Sequence, residues 1–305
     1  MSDPMKTSPA WGMQLPVQSQ SSIYVQPWES LAGPDELALV AVAADRAGAG
    51  YVAVCDHVAI PDELVSAMGA TWYDTVATLA WLAAQTERVR LLSHVWVLAY
   101  RHPAQTAKAF GTLDRLAPGR IVLGVGAGHV ESEFELIGAD FGARGAATTE
   151  AIVALRSTWS TGEINGPSGP FVVSPGPVTP GGPPIWVGGS SAPAIRRAVE
   201  HGDGWLPQGP PEGGVKRAVA AMRERRAELF ADRPLEIGVH AGIFSNEPTD
   251  APHVTLGDDA IAAQCRACVA IGGTQLQVRF ISRSAEHLAE QVEWFGTEIW
   301  PQVAA

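Results

Sequence analysis

Positive charge is scarce in this sequence, in which 21 lysine and arginine residues stand against 32 aspartate and glutamate residues. The formal net charge of -11 at pH 7 would repel nucleic acid and anionic lipid over most of the protein surface. We therefore expect neither of them as the main partner. An anionic ligand would need a local arginine or a helix N-terminus.

Cysteine is also scarce, and long apolar runs are absent. The three cysteines, Cys55, Cys265 and Cys268, cannot form a full disulfide framework and fit a reducing compartment. Cys265 and Cys268 lie in an alanine-rich helical pattern with no second cysteine or histidine pair nearby, so no metal site is predicted. Every apolar run is broken by charge, glycine or proline before the roughly 20 residues that a membrane span needs.

The amino-terminal segment MSDPMKTSPA has no basic region followed by an apolar one, so it does not predict a secretion signal. The sequence predicts a cytoplasmic protein in which a flexible lead, residues 1–9, precedes a single domain at residues 10–305.

Strand-like apolar runs alternate with amphipathic helical segments from residue 11 to the end of the chain. This alternation is typical of a parallel α/β fold. Eight strand–helix units in 305 residues favour a (β/α)8 barrel, the TIM barrel, over an open doubly wound sheet. The predicted strands cover residues 11–17, 51–56, 88–98, 120–126, 183–189, 203–208, 235–244 and 274–280. The predicted helices cover residues 33–48, 72–87, 102–119, 148–160, 191–202, 211–231, 258–272 and 284–300.

One long irregular segment, residues 160–183, precedes the fifth predicted strand and is rich in glycine and proline. A connection of that length inside a compact domain is usually functional or mobile. We interpret it as an inserted hairpin or lid within the domain, and as a segment that contacts the substrate.

Two titratable side chains, Asp56 and His57, lie where the second predicted strand ends. In a barrel of this kind the active site lies at the carboxyl ends of the strands, so both would face the barrel mouth. A histidine there can exchange a proton near neutral pH, and a carboxylate can fix its tautomer. Asp56 and His57 are therefore candidate catalytic residues, with Asp56 orienting His57. The alternative is that Asp56 caps a loop and His57 is an ordinary edge histidine.

The fourth predicted strand ends in a glycine array, in which Gly124, Gly126 and Gly128 alternate with other residues and His129 follows. Glycines allow a backbone to approach a flat or charged ligand closely. The array differs from the dinucleotide fingerprint, G-x-G-x-x-G in the first strand–helix turn, so it does not favour a Rossmann fold. His129 is a second candidate residue of the pocket.

A phosphate seat is predicted where the fifth strand meets its helix. Gly188 and Gly189 precede Ser190 and Ser191 at the helix start, where free amides, hydroxyls and the helix dipole favour an anion. The alternative is an ordinary serine N-cap. His94, within the third strand, either lines the pocket or is a core histidine bonded to the backbone.

Three segments together resemble a known family: CDHVAIPD at residues 55–62, the stretch from LLSHVWVL to ESEFELIG at residues 91–138, and PPIWVGGSSAPAIRRAVEHGDGWLP at residues 183–207. They are similar to the bacterial luciferase-like flavin and deazaflavin oxidoreductases, and the resemblance extends over nearly the whole chain from Trp11. Within that family the chain is most similar to the branch that uses coenzyme F-420, a deazaflavin that passes hydride in two-electron steps.

The resemblance implies that Asp56 and His57 lie beside the redox ring, with the histidine as acid, base or charge stabiliser. It also implies a non-prolyl cis peptide in a bulge of the third strand that supports the ring. The implied cofactor-binding residues are Asp56, Ser93, His94, Gly126, Ala127 and Gly128, and the implied phosphate seat is Gly188, Gly189, Ser190 and Ser191.

One position departs from the family pattern. Sugar-phosphate dehydrogenases of the family carry a glutamate, thought to be a proton donor, directly after the glycine array, where this chain has His129. The chain also has only three lysines, Lys6, Lys108 and Lys216, and no obvious lysine pair for a phosphorylated substrate. The resemblance therefore implies the cofactor and the reaction type without implying sugar-phosphate oxidation.

The implied function is that of an F-420-dependent oxidoreductase acting on a small organic substrate, with His57 handling the proton and His129 as a second candidate. Two alternatives remain open: a luciferase-like monooxygenase that uses reduced FMN, and a flavin-binding protein without catalysis. The family often forms homodimers through its second and third helices, here residues 72–87 and 102–119, and we expect a homodimer.

Overall fold

The computed structural model describes residues 8–19, 25–230 and 232–304. Most of the predicted flexible lead lies outside the described residues. Among the described helices, none combines the length and the apolar character that a membrane crossing requires.

Strands and helices alternate along the described chain as the sequence predicts. The strands are β1 (Ala10–Gln14), β2 (Tyr51–Val54), β3 (Arg90–Ser93), β4 (Trp96–Val97), β5 (Ile121–Gly126), β6 (Glu163–Gly166), β7 (Gly169–Val172), β8 (Ile185–Gly188), β9 (Gly204–Leu206), β10 (Glu236–Ser245), β11 (Val254–Leu256) and β12 (Gln275–Phe280). The helices are α1 (Pro34–Arg46), α2 (Val65–Met68), α3 (Thr75–Gln85), α4 (Pro103–Leu116), α5 (Glu131–Ile137), α6 (Arg144–Thr161), α7 (Ala192–His201), α8 (Val215–Leu229), α9 (Asp258–Ala270), α10 (Ala285–Trp294) and α11 (Pro301–Ala304).

Eight parallel strands close into the predicted TIM barrel. Their order is β1, β2, β3, β5, β8, β9, β10 and β12, and β12 pairs with β1 to complete the ring. The short strand β4 continues the path of β3 and pairs with β5. The carboxyl ends of these strands form the mouth of the barrel, and their amino ends form the N-terminal face.

Successive side chains of a barrel strand point alternately outward, to the core between strands and helices, and inward, to the lumen of the barrel. Val52 and Val54 of β2 pack with the helices, whereas Tyr51 and Ala53 belong to a separate cluster inside the barrel. The Tyr51 and Trp186 rings meet edge to face there, with centroids 5.7 Å apart. Because side chains fill the lumen, the inside of the barrel is packed core and not a ligand cavity. The lumen cluster consists of Tyr51, Ala53, Leu92, Val122, Trp186 and Leu206.

The inserted segment contains a hairpin, formed by β6 and β7, on the N-terminal face. It connects the end of α6 to the start of β8, and helix-to-strand connections of a barrel lie on the face opposite to the mouth. Its return stretch is bound to α4, because the Asp114 carboxylate accepts hydrogen bonds from the amides of Val178 and Thr179 at 2.8 and 2.7 Å. The segment therefore forms an inserted hairpin, whereas a lid that contacts substrate at the mouth is excluded by the topology.

Candidate active site

His57 and Glu133 form a hydrogen-bonded pair at the mouth. Nδ1 of His57 lies 2.8 Å from Oε2 of Glu133, and their side chains are 9% and 0% exposed. His57 follows β2, whereas Glu133 lies in the first turn of α5, 76 positions later in the chain. In a neutral imidazole this pairing places the proton on Nδ1 and leaves Nε2 to exchange a proton with a ligand.

Further donors hold the Glu133 carboxylate in place. Oε1 accepts hydrogen bonds from the amides of Val58 at 2.6 Å and Ala59 at 3.2 Å, and Oε2 accepts one from the Tyr100 hydroxyl at 2.9 Å. Burial alone would raise the pKa of Glu133, but the hydrogen bonds and the charge of His57 hold that pKa below its usual value. The carboxylate is therefore charged at neutral pH and orients His57.

Asp56 belongs to a different cluster. Its carboxylate accepts two hydrogen bonds from Arg101, at 2.6 and 2.8 Å, and one from the Val97 amide at 2.9 Å. The Arg101 guanidinium lies 3.5 Å from the centroid of the Trp96 ring, over its face. Asp56 thus joins the end of β2 to β4 and to the segment that follows it.

The prediction that Asp56 orients His57 is therefore wrong. Arg101 and the Val97 amide take up the carboxylate oxygens of Asp56, and the carboxylate bonded to His57 is that of Glu133. The Asp56 side chain is 5% exposed, and its assignment to the cofactor stays a prediction.

Two aromatic rings border His57. The Trp72 ring centroid lies 4.3 Å from that of His57 and the His129 centroid lies 5.7 Å away, both edge to face. Desolvation, and then the electrostatic effect of His57, lower the pKa of His129 below its usual value. The structure thus brings the predicted residues His57 and His129 together.

His94 follows directly after the end of β3 and has buried ring nitrogens. Its amide donates a hydrogen bond to the Val54 carbonyl of β2 at 2.7 Å. Both ring nitrogens are buried, and neither has a hydrogen-bond partner among the described residues. Burial, and then the charges of His240 and Arg279, lower the pKa of His94 to about 4. A neutral ring that still needs hydrogen-bond partners fits the amide-like edge of a flavin or a deazaflavin.

The segment between β3 and β4 contains the expected non-prolyl cis peptide, at the bond from His94 to Val95. The neighbouring Ser93 is fully buried, and its hydroxyl donates a hydrogen bond to the Gly124 carbonyl at 2.9 Å. The Ser93 hydroxyl is therefore bonded within the protein, and the assignment of Ser93 to the cofactor stays a prediction.

Glycines on two neighbouring strands make room for Val95. A Cβ atom on Gly126 would overlap the Val95 side chain, and one on Gly188 would lie 2.6 Å from Val95 Cγ1. Gly128 has a positive φ of 81°, and a Cβ there would also lie 2.8 Å from the Phe134 ring. Packing around the irregular segment between β3 and β4 thus accounts for these glycines without a ligand. Ala127 lies between Gly126 and Gly128 in the array.

The predicted phosphate seat lies at the N-terminus of α7, after Gly189. The Ser191 hydroxyl caps the helix by accepting a hydrogen bond from the Ala194 amide at 3.4 Å. The Ser190 hydroxyl donates a hydrogen bond to the Gly209 carbonyl at 2.7 Å. The serine N-cap of the alternative interpretation is therefore present. It takes the Ala194 amide, and Pro193 has no N–H, so the Ala192 amide is the first-turn donor left for a ligand.

Sequence reasoning missed Glu133, Tyr100 and Arg101. The signal that could have found them is their position, because each follows the carboxyl end of a strand by a short stretch, as residues of the mouth do. Their partners are distant in sequence, however, and no spacing rule links them.

The sequence profile of the luciferase-like monooxygenase family matches residues 12–290. This chain belongs to that family and is an oxidoreductase.

Individual relatives and structures agree with this membership. A coenzyme F-420-dependent glucose-6-phosphate dehydrogenase of Nocardia farcinica is 32% identical over 183 residues, which cover 57% of this chain and 53% of the dehydrogenase. The F-420-dependent tetrahydromethanopterin reductase of Methanopyrus kandleri superposes with a TM-score of 0.72 at 15% identity, over 97% of this chain and 100% of the reductase. The oxygenating constituent of 3,6-diketocamphane monooxygenase from Pseudomonas putida, in complex with FMN, superposes with a TM-score of 0.71 at 16% identity, over 97% of this chain and 99% of that protein. Both superpositions share the TIM-barrel fold and, at these identities, establish the fold alone.

Proposed function

We propose that this chain is a coenzyme F-420-dependent oxidoreductase that transfers hydride between the deazaflavin and a small organic substrate. The observation that carries the proposal is the His57 imidazole, held by the Glu133 carboxylate at the mouth of the barrel. The similarity to an F-420-dependent dehydrogenase supports the choice of cofactor.

In this mechanism His57 moves the proton that accompanies hydride transfer. Glu133 accepts the hydrogen bond from Nδ1, so Nε2 takes the proton of a substrate hydroxyl while the adjoining carbon loses hydride. The deazaflavin supplies the two-electron hydride acceptor when it is bound. The substrate thus loses one proton and one hydride and becomes a carbonyl compound, and the reverse reaction returns the proton from His57. His129, 5.7 Å from His57 between ring centroids, would line the substrate side.

Several groups would hold the cofactor. His94 would supply hydrogen bonds to the ring edge, because its buried nitrogens lack partners among the described residues. The Ala192 amide and the positive end of the α7 dipole would bind a phosphate group. The proposed contacts are His94, Gly126, Ala127, Gly128, Gly188, Gly189, Ser190 and Ser191.

The test is a parallel titration of the purified protein with coenzyme F-420 and with FMN, followed by fluorescence quenching. We expect micromolar or tighter binding of the deazaflavin and weaker binding of oxidised and reduced FMN. Preference for reduced FMN would favour a monooxygenase instead, as the similarity to an FMN-binding oxygenase allows. Binding of neither would remove the proposal and leave the fold untouched.

His57→Ala then tests the proton step. Turnover should fall by about a hundredfold or more, as for loss of a general acid or base, while deazaflavin affinity stays within a few-fold. His201→Ala, in the last turn of α7 and remote from the mouth, is the matched control and should leave turnover unchanged. Turnover of His57→Ala within a few-fold of the wild type would contradict the assignment.

A cytoplasmic homodimer completes the proposal, with α3 and α4 as the contact helices. Light scattering should then give twice the 32.1 kDa of one chain. A single-chain mass at micromolar concentration would contradict the dimer.

A further inference from the structure

A cavity of about 400 Å³ lies at the N-terminal face, at the opposite end of β8 from the phosphate seat. Its walls are Arg156 of α6, Asp203 between α7 and β9, Arg233 between α8 and β10, and the loop at 179–184. We call it the arginine cavity.

Two guanidinium groups share one carboxylate in the arginine cavity. Arg156 donates to Oδ2 of Asp203, and Arg233 donates to Oδ1 at 3.1 Å. The amide of Ile185 donates to Oδ2 as well, at 2.8 Å. Asp203 therefore uses both oxygens within the protein, while two positive charges face its single negative charge.

A third guanidinium group lies behind this wall. Arg226 is 1% exposed and donates to the carbonyls of Arg233 at 2.9 Å and Val199 at 2.6 Å. Its Nη2 is buried and has no hydrogen-bond partner among the described residues. Burial, and then the charge of Arg233, lower the pKa of Arg226 to about 10. The charge of Asp203 acts in the opposite direction, and that of Arg156 lowers the pKa further.

The charge of this cluster exceeds what a structural ion pair requires. One guanidinium would neutralise Asp203, yet Arg156 and Arg233 both pair with it and the charge of Asp203 also acts on Arg226, in a protein whose net charge is -11. Arg233 is half exposed and has five N–H donors, of which Asp203 takes one, so it can bind a second acceptor from solvent. Paired guanidinium forks match the oxygens of a phosphate group, which they bind bidentately.

We infer that the arginine cavity is a binding site for a phosphate group, either free phosphate or a phosphomonoester, separate from the active site. Arg156 and Arg233 contact the anion, and Arg226 adds positive charge behind them. The inference does not depend on the proposed function, since the site lies on the opposite face of the barrel.

Isothermal titration of the full chain with inorganic phosphate, at constant ionic strength in a chloride buffer, tests the site. We expect saturable binding that Arg233→Gln weakens at least tenfold and that Arg156→Gln also weakens. Arg225→Gln is the matched control, because this exposed arginine of α8 pairs with Glu228 outside the cavity. The affinity of the Arg225→Gln variant for phosphate should equal that of the wild type.

A second control separates the two phosphate-binding regions. Ser191→Asp places a negative charge at the N-terminus of α7 and should leave phosphate binding to the arginine cavity intact. The inference is overturned if no saturable binding occurs, or if Ser191→Asp abolishes the binding while Arg233→Gln and Arg156→Gln retain it. Thermal melts of the arginine variants show whether each remains folded, and Arg156→Gln decides the test if Arg233→Gln does not fold.

Discussion

Asp56 and Glu133 are two buried carboxylates near the same mouth, and each accepts several hydrogen bonds, yet they have different partners. Asp56 is paired with the Arg101 guanidinium, which has hydrogen-bond donors and no acceptor. Glu133 is paired with the His57 imidazole, whose second ring nitrogen is left to exchange a proton with a ligand. The first pair can only hold the structure, whereas the second can take part in chemistry. The role of a carboxylate at this mouth is thus set by the side chain it pairs with through space, and not by the side chain beside it in sequence.

Asp56→Ala should break the first cluster and give the largest effect. It leaves the Arg101 guanidinium and the Val97 amide without their acceptor, and removal of one partner of a buried ion pair costs about 3 to 5 kcal/mol. Urea unfolding measures the loss. Asp62→Ala, at an exposed residue of the following loop, should change the free energy of unfolding by less than about 0.5 kcal/mol. A loss below about 1 kcal/mol in Asp56→Ala would contradict the structural role.

Glu133→Gln should break the second cluster, and its effect should appear in catalysis. The amide oxygen can still accept from Val58, but the amide nitrogen cannot accept the Nδ1 proton of His57, so the tautomer is no longer fixed. We expect kcat/KM to fall about a hundredfold, or about 2.7 kcal/mol in the activation barrier. Glu131→Gln, exposed in the same helical turn, should retain activity. Full activity of Glu133→Gln would remove the distinction between the two carboxylates.

Gly126→Ala should destabilise the segment around Val95, which precedes the Val97 amide that donates a hydrogen bond to Asp56. The new methyl group would overlap the Val95 side chain, and overpacking of this kind costs about 1 to 3 kcal/mol. Gly176→Ala is the control, because no described atom lies within 4 Å of a Cβ at that position. Equal unfolding midpoints for the two variants in urea would show that the glycine array is not required for packing.

The pH dependence of stability should give the smallest effect. The pKa of Glu133 is lowered in the folded state, so its contribution is complete above the usual value of about 4.5 and is lost as the pH falls through the folded value. The difference in free energy of unfolding between the wild type and Glu133→Gln should therefore shrink below about pH 4.5. Urea titrations from pH 7 to pH 3 measure it. A difference that grows on acidification would have the wrong sign for this carboxylate.

The barrel was predictable because each unit carries its own local pattern. A strand such as β2 is an unbroken apolar run, and a helix such as α4 begins at Pro103 and ends just before Pro118 and Gly119. Topology then places the strand ends at one mouth, which is why the sequence could point to His57, His94 and His129 as residues of that region.

The rest of the site depends on contacts that no local pattern contains. Glu133 lies 76 positions from His57, and three glutamates within residues 131–135 offer no local reason to select it. The adjacent Asp56 was the simpler choice, but consecutive residues at a strand end point to opposite sides, so neighbours in sequence need not meet. The position of the insertion at 160–183 was predictable, since a helix-to-strand connection of a barrel lies opposite to the mouth, whereas its glycine- and proline-rich composition contains no information about the face.

The most direct measurement is the tautomer of His57, read from long-range proton–nitrogen correlation spectra of protein labelled with nitrogen-15 in its eight histidines. The His57 signals are assigned from the spectrum of His57→Gln. We expect a proton on Nδ1 and none on Nε2 in the neutral wild-type ring. This tautomer should be retained in Asp56→Asn and lost in Glu133→Gln. A proton on Nε2 in the wild type, or a change in Asp56→Asn with none in Glu133→Gln, would contradict the claim that Glu133 prepares His57 for proton transfer.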